Sequence, residues 1–421
     1  MLKKIPTSQV RLGMYLHGME GSWLSHPFWK TKFVLTDPED LRALQASGVP
    51  FCWIDASLGL DVEGEAAAAP AAPASPPPPA APTVIAPAPE APAVAPARER
   101  LELGTAPASM GEELERATQV MQRSKRAVMN LFGEARLGKA IDAEQCLPLV
   151  EEVASSVVRN PSALISLARL KTKDDYTYMH SVAVCALMVS LARQMGLDEA
   201  QTRDAGLAGL LHDIGKMAMP LDVLNKPGAL TDDEFAIMRD HPTRGFEMLK
   251  DGAAVSEGAL DVALRHHEKM DGSGYPGKLK GEEISLLARM GAVCDVYDAI
   301  TSNRPYKNAW DPASSLARMA QWSGHFDPRV FQAFVKCVGI YPVGTLVKLQ
   351  SGKLAVVLEQ NATALTAPRV RAFYSTKSQM PIPTQVLDLS SQGASDRIVG
   401  REDPATWGFQ KLDELWQAPA G

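Results

Sequence analysis

The chain has 421 residues, 46% hydrophobic and 22% charged, and a formal net charge of −6 at pH 7. That length exceeds one ordinary core and calls for a multidomain protein. The acidic balance excludes broad binding to DNA or RNA, which needs many phosphate-neutralising cations.

No stretch approaches the roughly 18 apolar residues that span a bilayer, and Met1 to Val10 lacks the apolar core of a signal peptide. The five cysteines, Cys52, Cys146, Cys185, Cys294 and Cys337, are scattered and never form a C-x-x-C pair. The expectation is a cytoplasmic protein with reduced thiols and no membrane partner.

In chain order, residues 1–64 read as a small α+β module. Phe33 to Leu35 and Phe51 to Ile54 are β-like, and Asp37 and Pro38 mark the start of a short helix, as N-cap and first helical residue. Trp23, Phe28, Trp29, Phe33 and Trp53 are its expected core. His17 and His26 have no partner at ligand spacing and are read as structural. Residues 65–98 are nearly all Ala and Pro, which buries too little apolar surface to fold and predicts an extended spacer.

Residues 99–160 follow as a helical connector. Gly111 to Arg136 places Leu114, Ala117, Met121 and Val128 broadly on one helix face. Packing within the chain is the default for that face, and pairing in a homodimer is the option left open. Residues 161–335 form a run of helices broken by Gly- and Pro-rich turns. Residues 340–400 change character: Thr345–Leu349, Leu354–Leu358 and Arg369–Tyr374 predict strands, with a hairpin turn at Gln350 to Lys353. A tail, 401–421, closes the chain.

Five of the eight histidines fall between His180 and His267. His180 shares a helical stripe with Val184, Leu187 and Leu191, and alone it would pass for a core histidine. Asp204 to Lys216 is apolar nearly all round, predicting a buried helix that carries His212 and Asp213. A buried carboxylate beside a buried imidazole is costly unless a cation compensates it. Lys216, three residues on, suits either a salt bridge or a phosphate contact.

His241 opens His-Pro-Thr-Arg-Gly, with Pro242 able to start a helix. His266, His267 and Glu268 follow a helical run over Gly258 to Arg265, and a glycine-rich loop, Asp271 to Gly277, comes next. Asp295 and Asp298 lie three apart on a helix over Ala288 to Thr301. Five imidazoles and at least two carboxylates on apolar helices suit a mixed N/O site for two metals about 3.5–4 Å apart. Such ligands favour Fe, Mn or Zn, and no thiolate forces Zn.

Seven blocks in order resemble the HD-GYP domain family: Tyr176 to His180, Leu211 to Lys216, His241 to Gly245, His266 to Glu268, Asp271 to Pro276, Asp295 to Ala299, and Asn303 to Tyr306. Met1 to Asp61 is similar to the small domain often fused ahead of it. The resemblance implies an all-α HD-superfamily catalytic domain over 161–335. It implies hydrolysis of cyclic di-GMP to the linear dinucleotide pGpG, with GMP as a further product.

It also implies two divalent metal ions, Fe or Mn first and Zn, Ni or Co next. Their ligands would be His180, His212, Asp213, His241, His266, His267 and Asp295, with Asp213 bridging. Lys216 would handle phosphate, Arg304 and Lys307 would contact substrate, and Tyr275 would sit near it. The GYP loop or the N-terminal module would be the surface for any signalling-protein partner. Where some members carry a glutamate that helps to hold a third metal, this chain has Tyr176, which puts the step to GMP in doubt. An HD-type phosphohydrolase of another nucleotide and a catalytically weak sensor of the same ligand are the competing readings.

Overall fold

The computed structural model describes residues 2–19, 33–36, 38–46, 51–60, 106–170, 176–226, 228–302, 309–361, 363–409 and 411–417. The expected N-cap Asp37, the core candidates Trp23, Phe28 and Trp29, the Ala/Pro spacer and the Asn303 to Tyr306 block with Arg304 and Lys307 lie outside them. The chain divides into two units, Met1–Ala95 and Pro96–Gly421.

In the first unit, β1 (Leu2–Pro6), β2 (Tyr15–Met19), β3 (Phe33–Val34) and β4 (Phe51–Asp55) form an antiparallel sheet in the order β1-β4-β2-β3, with helix α1 at Pro38–Ala46. The core is Ile5, Val10, Met14, Leu16, Leu35, Leu44, Cys52 and Ile54. Trp53, expected inside, is 41% exposed. Successive side chains of a strand point to opposite faces, so burying Cys52 and Ile54 turns Phe51 and Trp53 outward.

The second unit begins with α2 (Met110–Arg136), started by a capping box between Ser109 and Glu112. Its buried face, Ala117, Met121, Val128 and Phe132 among others, joins one core with α3 (Leu147–Arg159), α4 (Pro161–Ala168), α5 (Tyr176–Gln194) and α6 (Glu199–Leu211). A buried ion pair fastens α2 to α3: Arg159 Nε donates to Glu113 Oε2 at 2.7 Å and Ser156 Oγ to Glu113 Oε1 at 2.8 Å.

Helix α5 is buried continuously from Met179 to Ala192 and is the central rod of the unit. Helix α6 lies directly on it because Gly209 has no side chain; a β-carbon there would sit 2.9 Å from the Val184 carbonyl oxygen. Short helices α7 (Leu221–Leu224) and α8 (Asp232–Met238) precede α9 (His241–Leu249), α10 (Glu257–Arg265), α11 (Leu286–Thr301), α12 (Pro312–Met319) and α13 (Pro328–Val338).

A five-stranded antiparallel sheet follows: β5 (Leu346–Leu349), β6 (Lys353–Glu359), β7 (Arg369–Ser375), β8 (Met380–Asp388) and β9 (Ile398–Arg401), ordered β8-β7-β6-β5-β9. The expected hairpin turn joins β5 to β6, with Gly352 at φ 84°. Val356 and Leu358 of β6 and Trp416 of α14 (Asp413–Gln417) belong to the helical core, and Val347, Val357 and Val370 to a core of the sheet's own. Two strands exceed the three expected. Pro381 and Pro383 hide β8 in the sequence, and the chain tolerates them because β8 is an edge strand.

Candidate metal centre

Five elements converge on one buried point. His180 lies in the second turn of α5, His241 opens α9 with Pro242 behind it, His266 and His267 directly follow α10, and Asp295 lies in α11. The continuous helix expected over Asp204 to Lys216 is not what forms. Helix α6 stops at Leu211, His212 still holds φ −52° and ψ −36°, and the chain tightens into a 3-10 turn over Ile214–Ala218. The tightening has a steric cause: Gly215 is pressed against the His241 carbonyl and the backbone of Gly245, where any β-carbon would collide. This contact sets Asp213 beside α9.

Asp213 is the shared element. Its Oδ2 lies 3.4 Å from His180 Nε2 and 3.3 Å from His212 Nε2, while its Oδ1 lies 3.3 Å from His241 Nε2 and 3.7 Å from His266 Nε2. Asp295 adds Oδ1 at 3.0 Å from His180 Nε2 and Oδ2 at 3.8 Å from His267 Nδ1. Two groups could each hold an ion: His180 with His212 and Asp213, and His241 with His266 and His267.

Proton placement tests whether the residues fit a cation. Nδ1 of His212 hydrogen bonds to Gly209 O at 2.8 Å, that of His241 to Met238 O at 2.7 Å, and that of His266 to Val262 O at 2.9 Å. A carbonyl only accepts, so each Nδ1 carries a proton and each ring turns its Nε2 inward. Nε2 of His241 and Nε2 of His266 face each other at 3.4 Å. Nε2 of His212 and Oδ1 of Asp213 are buried without a hydrogen-bond partner. Lone pairs converging at a buried point are costly unless a cation takes them, so the donor set fits divalent metal.

Electrostatics agree. Burial would raise the carboxyl of Asp213, but Lys216 and His212 hold it well below the usual range. Burial would likewise raise Asp295, and hydrogen bonding and charge from His180 hold it down. Burial and the neighbouring imidazoles of His267 and His212 push His266 well below its ordinary value. His180 behaves oppositely: burial lowers it, but hydrogen bonds to Asp213, Asp295 and Asp298 outweigh that and hold it up at about 10. A proton on His180 Nε2 and a metal ion there are therefore alternatives.

Around the centre, the Lys216 ammonium is paired with Asp213, the geometry of a salt bridge, and keeps 23% side-chain exposure. Tyr275 is tied through its N–H to His267 O at 3.2 Å and lies against the His267 ring, centroids 4.8 Å apart. Tyr176 stacks on His180 at 5.7 Å.

Three contributors had no assigned role in the sequence reading. Asp298 accepts from His180 Nδ1 at 2.6 Å, and its i+3 spacing from Asp295 was the available signal. Glu268, buried beside His267, accepts from Gly277 N at 2.6 Å and Leu279 N at 3.1 Å, which staples the glycine-rich loop to the centre. Arg239 lies over Tyr275 at 4.6 Å and has no sequence signal.

Residues 152–330 match the family model described as HD domain, and residues 2–146 match a domain of unknown function, DUF3391. The chain is 55% identical over 417 residues to a cyclic di-GMP phosphodiesterase of Pseudomonas aeruginosa, spanning 99% of this chain and 96% of that one. It is 49% identical over 149 residues to a cyclic di-GMP phosphodiesterase response regulator of Xanthomonas campestris, 35% of this chain and 39% of that one. It is 38% identical over 162 residues to a 3'3'-cGAMP-specific phosphodiesterase of Vibrio cholerae, 38% of this chain and 31% of that one. With a histidine and aspartate centre of this geometry and identity along its full length, the chain belongs to the HD-GYP family of HD-domain phosphodiesterases.

Proposed function

We propose that the protein is a metal-dependent phosphodiesterase that opens cyclic di-GMP to the linear dinucleotide pGpG in bacterial second-messenger signalling. The observation that carries the reading is Asp213, which offers one oxygen to each of two imidazole groups. Relatives named for cyclic di-GMP support the substrate.

His180, His212 and Asp295 would hold one ion, and His241, His266 and His267 the other, with Asp213 between them. Fe or Mn suits this donor set first, and Zn, Ni or Co next. Divalent ions bound there supply charge neutralisation and water activated at neutral pH. The protein's own part is positional. Backbone carbonyls fix the tautomers of His212, His241 and His266, and Asp298 fixes His180. Lys216 has three protons, enough to hold Asp213 and to donate to a phosphate oxygen of the substrate. Tyr275 would border the substrate, and the family resemblance adds Arg304 and Lys307 as basic contacts.

Tyr176 occupies the place from which a carboxylate could help to hold a third ion, and a phenol with pKa about 10 is a weak hard-cation ligand. The linear dinucleotide should therefore accumulate instead of passing on to GMP. Five free cysteines, four of them buried, are in keeping with the cytoplasm, and no helix among the described residues is long and apolar enough to cross a membrane.

Incubating the manganese-loaded protein with cyclic di-GMP and separating products by chromatography tests the reading. pGpG should appear first and persist. Tight binding without turnover would make the protein a sensor, and cleavage of other nucleotides only would make it a different phosphohydrolase.

A further inference from the structure

Arg239 has a defined place and no task in the account above. Its guanidinium lies over the Tyr275 ring at 4.6 Å and over the Phe235 ring at 5.9 Å. Tyr275 packs against His267, so the chain of contacts runs from the metal centre outward. The arginine is exposed, and no ion pair with a described residue engages it. The neighbouring carboxylate, Asp240, is held instead by Arg244 Nε at 2.7 Å. A cation kept in place by aromatic contacts and not by an anion is available to a ligand.

Its chemistry narrows the ligand. A guanidinium held by its central carbon over aromatic rings keeps N–H donors along its edge for a forked, two-acceptor partner. Guanine presents such an edge in O6 and N7. Adenine offers N7 beside an N6 donor, which opposes the second N–H of the fork. A phosphate would also accept a fork, but it gains nothing from a flat ring alongside, whereas a base stacks on one.

We propose that Arg239 is a specificity-determining residue of this site, reading the O6/N7 edge of one guanine of the cyclic dinucleotide, with the exposed ring of Phe235 beside it as the surface on which the base stacks. The inference rests on the phosphodiesterase reading for its ligand, and the test separates the two.

Dissociation constants by calorimetry, together with KM and kcat, would be measured on the manganese-loaded protein with cyclic di-GMP and with cyclic di-AMP. Arg239→Ala should raise Kd and KM for cyclic di-GMP by roughly tenfold to a hundredfold, the range expected for one bidentate base contact. Cyclic di-AMP should move by no more than about twofold, so the guanine preference collapses. Arg239→Lys keeps the charge but loses the fork and should behave like the alanine variant. Equal losses with both dinucleotides and rescue by lysine would make Arg239 a phosphate contact and overturn the proposal, as would no change at all. If the unmodified protein prefers cyclic di-GMP, loses that preference in Arg239→Ala and yet cleaves neither compound, the activity reading fails and Arg239 keeps its role. If it binds neither dinucleotide, both fall.

Discussion

The two halves of the buried centre differ in the carboxylates that surround their imidazoles. On the α5 side, His180 donates to a carboxylate, Asp298 Oδ2, at 2.6 Å, and Asp295 adds a second carboxylate in front. On the α9 and α10 side, His241 and His266 donate to the carbonyls of Met238 and Val262. A carbonyl fixes the tautomer and orientation of a ring, whereas a carboxylate also raises its basicity. The first half is therefore charge-rich and holds a proton on His180 when no metal competes. In the second, burial and the neighbouring imidazoles push His266 well below its ordinary value. Asp213 directs one oxygen to each half, and Asp295 also reaches from His180 toward His267.

Removing the shared carboxylate should have the largest effect. Asp213→Ala is expected to release both ions and to lower turnover by on the order of a thousandfold or more, since its ligands act as a unit. Elemental analysis alongside the rate checks this, and a variant with full metal and full rate would refute the sharing.

Asp298→Ala separates the halves. It should weaken one of two metal-binding steps by roughly 10–100-fold and leave the other alone. Asp298→Asn, which retains an acceptor for Nδ1–H, should lose less. Titration against a chelating dye resolves the two steps, and equal weakening of both would erase the distinction.

The sequence made the ingredients of this centre legible but not its division. Five histidines on or beside apolar helices, with Asp213 and Asp295, were readable because buried polar groups in such runs need a partner. The break after Leu211 was not, because it depends on Gly215 meeting the backbone of Gly245 from a distant helix. The carboxylate behind His180 was visible only as a spacing, Asp295 to Asp298, and Arg239 not at all, since its meaning comes from a ring 36 positions away in the chain. In the N-terminal sheet, aromatic content suggested the core, and strand alternation overruled it at Trp53.

Tyr176 extends the contrast to metal count. The unmodified protein should hold two ions per chain. Tyr176→Glu, placing a carboxylate one turn from His180, should raise that to three and speed formation of GMP. Elemental analysis of both proteins decides, and three ions before the substitution would contradict the account.

A smaller effect concerns pH in the metal-free protein. His180 titrates at about 10 when folded and His266 well below 6.5. Below pH about 6.5 the unfolded chain protonates His266 where the folded chain does not, so stability falls on acidification. Between about 6.5 and 10 the folded chain keeps a proton on His180 that the unfolded chain has lost, so stability also falls as pH rises. The melting temperature should peak near pH 6.5, and saturating metal should flatten the alkaline limb. A steady rise from pH 6 to 9 without metal would break the contrast between the halves.

The smallest expected effect is that of deleting the first unit. The charge-poor Ala/Pro segment ahead of Arg98 predicts few contacts across it, and the ligands all lie beyond it. A chain starting at Arg98 should stay folded and hydrolyse at close to the full rate. Circular dichroism and turnover check this, and aggregation would show that the first unit is required.

The sharing of Asp213 can be seen directly. Crystals of the manganese-loaded protein, measured at the manganese absorption edge, should show two anomalous peaks about 3.5–4 Å apart, with one oxygen of Asp213 directed to each. A single peak, or two peaks with both Asp213 oxygens on the same ion, would contradict the account.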